Sequence, residues 1–157
     1  MFRILLSLSL CVGLSAQVIK FEEEKYIASL QSSVYKKGSL KIEANSIGVE
    51  YIDSNKSYVL YDDYIIVREN ATEQRFSYDD KIELNIFAKL INLVYKDKKD
   101  GANDFFTLKK DGDLVVLTPK GKVSQYIEKI EYKKVQNRLV FLKISFLNDE
   151  WINIVQN

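Results

Sequence analysis

One stretch constrains the fold more than any other. Between Lys81 and Lys96 the chain reads KIELNIFAKLINLVYK, and the spacing of its apolar residues predicts a helix. Asp80 stands where a cap belongs, with Glu83 three residues on at capping-box spacing. Ile82, Leu84, Ile86, Phe87, Leu90, Ile91, Leu93, Val94 and Tyr95 spread over roughly 220° of the helix circumference at ~100° per residue. A helix lying on a flat sheet needs a narrower stripe, so this one needs apolar neighbours on more than one side. Two readings follow: an ordinary core helix, or a helix that lines or plugs a cavity inside a curved sheet.

The remainder alternates with period two and is broken by turn residues, the pattern of β-strands. Ser39 to Ala44, Ile47 to Ile52, Ser57 to Tyr61, Tyr64 to Arg68 and Glu73 to Tyr78 precede the helix. Asp62-Asp63 suits a tight hairpin, and Gly38 punctuates the chain ahead of the first of these strands. Phe21 to Leu30 alternates too, although its glutamates also favour helix. After a polar loop at Asp97 to Asn103, the runs Phe105 to Lys109, Leu114 to Thr118, Gln125 to Val135, Arg138 to Leu147 and Trp151 to Val155 form a meander. About ten strands joined by short turns imply antiparallel pairing, and such a sheet must curl, close or split into two layers. No repeat, low-complexity segment or linker interrupts residues 17–157, so one domain is expected there.

The start reads differently. Met1-Phe2-Arg3 is positive, Ile4 to Leu14 is apolar, and Leu14-Ser15-Ala16 offers a small residue for cleavage. This is the pattern of a secretory signal peptide over residues 1–16, removed after Ala16 to leave 141 residues. Cys11, the one cysteine, lies inside it. The alternative, a lipid anchor on Cys11, is disfavoured by the bulky Leu10 before it.

Composition then excludes chemistry. With no histidine and no cysteine beyond the leader, neither a histidine-based nucleophile system nor a His or Cys metal site can be built. No glycine-rich phosphate loop is present, and no cofactor is expected. Without Arg3, acids and bases balance, which argues against a nucleic-acid binder. The pairs Lys36-Lys37, Lys98-Lys99, Lys109-Lys110 and Lys133-Lys134 read as solvated turns and strand ends. Asp62-Asp63, Asp79-Asp80 and Glu22-Glu23-Glu24 are the carboxylate groups available for acid–base work, but neighbours on a strand face opposite ways. Ten tyrosines and eight phenylalanines leave apolar surface, for a core or for an elongated apolar ligand, as the chain's main resource.

A series of short motifs resembles the LolA family of periplasmic lipoprotein carriers. Phe21-x-Glu23-x-Lys25-x-Ile27-x-x-Leu30 followed by Gly38-x-Leu40 is similar to its opening strands. Ile47-Gly48-Val49-Glu50-Tyr51 sits at a short strand that carries tryptophan in the family, and Ser57 to Asp63 resembles a strand ending in an Asp-Gly turn. Glu73-Gln74, Val115-x-Leu117-x-Pro119-Lys120 and the hairpin ending in Trp151-Ile152-Asn153-Ile154 follow in family order. The resemblance implies a curved antiparallel open half-barrel with a helix packed on its concave face. It implies no catalysis. An acylated lipoprotein or lipid would be received from an inner-membrane donor transporter, carried in the periplasm by a monomer, and passed to an outer-membrane acceptor. On this reading Ile82, Ile86, Phe87, Leu90 and Val94 line the helix side of the cavity, and Leu40, Ile42, Val49, Tyr51, Leu60 and Val67 the sheet side. Two features depart from the family: its switch arginine falls near Gly48, and the Gln17 to Lys20 lead leaves little room for an N-terminal helix. Both fit a paralogue with another lipid or acylated cargo. An envelope assembly module, or a carboxylate-based glycan or lipid hydrolase, are the competing readings.

Overall fold

The computed structural model describes residues 16–157; the expected leader, with Cys11, lies outside the described residues. Eleven strands form one antiparallel sheet. The first wing comprises β1 (Gln17–Ile27), β2 (Ser32–Ile42), β3 (Ile47–Tyr51), β4 (Lys56–Leu60), β5 (Tyr64–Glu69) and β6 (Thr72–Ser77). The second comprises β7 (Phe106–Asp111), β8 (Leu114–Pro119), β9 (Ile127–Val135), β10 (Arg138–Phe146) and β11 (Trp151–Gln156). Each wing is a meander in chain order. They meet where β1 pairs with β11, from Phe21↔Gln156 to Tyr26↔Trp151, so β6 and β7 are the two outer edges and do not pair with each other.

The long connection between those edges is helical: α1 (Ile82–Lys96), then the short α2 (Asp100–Asn103). Residues buried around α1 include Ile65 and Leu60 from the first wing and Leu117 and Ile130 from the second, all in one continuous core. A flat sheet of eleven strands would be ~50 Å wide and α1 only ~22 Å long. The outer strands reach one core with α1 because the sheet curls around it. The architecture is therefore the expected one, an open half-barrel with its helix on the concave face. Among the described residues no helix is long and apolar enough to cross a membrane.

Several local expectations change. β1 begins at Gln17, so the short lead is itself strand. Gly38 does not punctuate the chain but lies within β2, opposite Phe21. A Cβ there would come within 2.5 Å of the Phe21 ring and the Glu50 carbonyl, so glycine lets that ring lie across the strand. Lys36-Lys37 lies within β2 rather than at a turn or strand end, whereas Lys109-Lys110 and Lys133-Lys134 stand near the ends of β7 and β9 as expected. The loop after α1 contains α2.

Asp80 does not cap α1. Tyr78–Asp80 form a 3-10 turn capped by Ser77, whose hydroxyl accepts from the Asp79 N–H, and Lys81 at φ −140° starts α1 without a side-chain cap. At the other end Asp97 turns left-handed and its N–H bonds back to the Asn92 carbonyl. Lys134 donates to the Val94 carbonyl at 2.6 Å, placing a cation at the negative end of the helix.

Candidate functional site

β2 is longer than its neighbour. It pairs with β1 along its whole length, but β3 reaches only from Gly38 to Ile42. The chain then leaves the sheet through a turn with Asp53 in the left-handed conformation. This overhang of β2, the β3–β4 turn, the start of β4 and the first half of α1 enclose a half-open groove of about 810 Å³. Tyr51, Tyr58, Leu84 and Phe87 supply apolar floor and walls; Val34 and Ile52, 43% and 64% exposed, stand at the mouth. Lys36 and Lys56 stand at the rim with Asp53, while the Lys37 side chain turns to Glu22 on the outer face.

The floor is held by a small polar network on the inner face. The Tyr51 hydroxyl donates to Glu23 at 2.7 Å, and the Phe21 ring meets the Tyr51 ring edge-on at 5.6 Å. Burial, reinforced by the Glu23 charge, pushes the Tyr51 hydroxyl far up, so it stays a neutral donor. The Lys36 ammonium lies 5.5 Å from the same ring, and no carboxylate among the described residues pairs with it. Lys37 pairs with Glu22 at 3.1 Å and Lys56 with Glu69 at 3.8 Å, both exposed and screened by solvent.

Beyond Tyr51 and Phe87 the space closes. The seam they share with Phe21, Leu40, Ile91, Tyr95, Leu139, Leu142 and Ile154 retains about 10 Å³. That is at the lower limit for one water. The Tyr95 hydroxyl is buried there without a partner, and burial raises it to about 12.

The residues expected to line a cavity thus fall into three groups. Tyr51 and Phe87 line the groove. Leu90, Val94, Leu40, Val49, Leu60 and Val67 are buried in the core, with Ile42 and Ile86 packed half-buried against it. Ile82, 39% exposed, sits on the first turn of α1 outside both. Val34, Lys36, Ile52, Tyr58 and Leu84 complete the site without having been singled out for it. The signal for Val34 and Lys36 was present: they continue the alternation of Gly38, Leu40 and Ile42, once β2 is carried back through the glycine.

The carboxylate neighbours do not converge. Asp62 and Asp63 occupy an exposed turn, as do Asp79 and Asp80. Glu23 faces inward while Glu22 and Glu24 bond Lys37 and Tyr35 on the outer face. No group of three or more potential metal-ligating side chains occurs among the described residues.

No family model matches the sequence, and no curated protein matches it. Solved structures do match in fold. The chain is similar to a domain from Vibrio parahaemolyticus, provisionally described as an outer membrane lipoprotein-sorting protein domain, at 12% identity and a TM-score of 0.47, over 93% of this chain and 85% of that one. It is also similar to a LolA superfamily protein from Nitrosomonas europaea, at 8% identity and a TM-score of 0.49, over 92% of this chain and 85% of that one. The likeness is one of chain path and assigns no residue a role.

Proposed function

We propose that this chain is a periplasmic carrier that holds the acyl chains of lipoproteins or related lipids and moves them toward the outer membrane. The observation that carries the reading is the groove of about 810 Å³ between the overhang of β2 and the first half of α1. Its volume lies within the ~300–1,000 Å³ usual for small-molecule sites. Its lining is mainly apolar and its rim carries charged side chains of both signs, which suits an acyl chain joined to a polar head. Eight to ten methylenes taken out of water at ~0.8 kcal/mol each would contribute about 6–8 kcal/mol before the cost of association. That gross figure places a single acyl chain in the micromolar range or weaker.

On this reading residues 17–157 act as a single mature domain after removal of residues 1–16. No bond is made or broken. A donor transporter in the inner membrane loads the monomer, and an outer-membrane acceptor unloads it.

Titration of the purified mature chain with a fluorescent fatty-acid probe tests this. Saturable binding is expected, with competition by unlabelled lipid. Leu84→Glu puts a charge into the half-buried wall of the groove and should weaken the probe at least tenfold, while Tm stays within a few degrees. Absence of saturable binding to the folded chain sinks the carrier.

A further inference from the structure

The wall of the groove formed by β2 is an open sheet edge. Residues 32–37 pair with β1 on one side and, on the other, run past the end of β3. The last bond on that side is the Ile52 N–H to the Lys37 carbonyl, 2.8 Å. Along a strand the main-chain groups of alternate residues point the same way. Tyr35 and Ser33 therefore aim their N–H and C=O groups to the same side as Lys37, where no strand continues β3. Side chains follow the complementary alternation. Val34 and Lys36 share the inner face with Gly38 and Leu40, so they look into the groove.

An unpaired edge is a template for a further strand, and lysines commonly blunt such edges. This edge is different in that it is continuous with an apolar groove and carries an inner-face lysine, Lys36, that makes no ion pair among the described residues, the carboxylate of Glu23 opposite it on β1 accepting instead from Tyr51. We propose that residues 32–36 receive an extended, acidic peptide as an added strand, and that this peptide is the segment joined to the acyl chain in the groove. The acyl part rests on the carrier reading; the strand addition does not. Main-chain bonds to Ser33 and Tyr35 would hold the peptide irrespective of sequence, and an acidic side chain next to Lys36 would select it.

Three probes separate the two parts: a palmitoylated short peptide rich in Glu and Thr, the same peptide without palmitate, and a fatty acid. The acylated acidic peptide is expected to bind at least tenfold tighter than the fatty acid. It should slow amide exchange at Ser33 and Tyr35, which the fatty acid leaves unchanged. Ser33→Pro removes one outward N–H, is of a kind that edge strands tolerate, and should erase the advantage of the peptide while fatty-acid binding persists. Lys36→Glu alters no main-chain group and should turn the preference from an acidic to a basic acylated peptide. Equal affinity for peptide and fatty acid, or unchanged exchange at Ser33 and Tyr35, overturns the proposal. If the unacylated peptide binds and protects those amides while the fatty acid does not bind, the strand addition stands and the carrier falls.

Discussion

The two halves of α1 meet different surroundings. Its first half, Ile82 to Phe87, is half-buried or exposed and borders the groove. In its second half, Ala88, Leu90, Ile91, Leu93 and Val94 are all at most 3% exposed. A hollow of about 420 Å³ does exist at the far end, but charged groups such as Asp97, Lys99, Lys110, Asp113 and Lys134 line it. One amphipathic stripe thus does two jobs: the far half fastens the helix into the half-barrel, and the near half leaves apolar surface open under the β2 overhang. Hydrophobicity alone does not separate the jobs. The length of β2 relative to β3 does.

The comparison breaks most readily at Leu90 and Leu84. Leu90→Ala, 2% exposed in the wild type, should cost about 2–5 kcal/mol in urea unfolding, and Leu90→Glu should leave no stable fold. Leu84→Ala, at the groove, should cost clearly less. Equal losses at both positions would show that the near half is core as well.

Tyr95 sharpens the closed half. Burial holds its hydroxyl at about 12 and, with Asp62 and Asp63 adding to burial, Tyr78 at about 12, against an ordinary value of 10.0. As pH rises through 10 the unfolded chain loses these protons first, so it binds fewer than the folded chain and stability declines. The contribution is whole below pH 10 and disappears on approaching pH 12. Tyr95→Phe should shallow that decline. Because the hydroxyl has no partner, the same change should be neutral or stabilising by up to about 1 kcal/mol at pH 7. A loss at pH 7 would mean that the hydroxyl is satisfied after all.

The smallest effect belongs at the start of the helix. Asp80→Ala should change stability by no more than about 0.5 kcal/mol, whereas Ser77→Ala, which removes the hydroxyl capping the 3-10 turn, should cost about 0.5–1 kcal/mol. The reverse order would restore Asp80 as the cap.

These contrasts also mark what the sequence discloses. The helix, the hairpins at Asp62-Asp63 and Lys110 to Asp113, and the two meanders are local, set by periodicity and turn residues within a few positions. The pairing of β1 with β11 joins positions as distant as Phe21 and Gln156, and no local signal records it. Gly38 misleads because glycine usually weakens a strand, while here a neighbouring ring takes the place of its side chain. Asp80 misleads because cap residues favour any tight turn, and a 3-10 turn intervened. The groove was the least legible. It arises from a strand outrunning its neighbour, a relation between two elements that neither sequence carries alone.

The β1–β11 seam has a kinetic consequence. Each wing can assemble from nearest-neighbour hairpins with short loops to close, but the seam must bring together segments from opposite ends of the described chain. Contacts so distant are entropically late to form. The inner edges of β1 and β11 stay bare until the seam closes. Until the final strand arrives, the centre of the finished sheet is its most adhesive border.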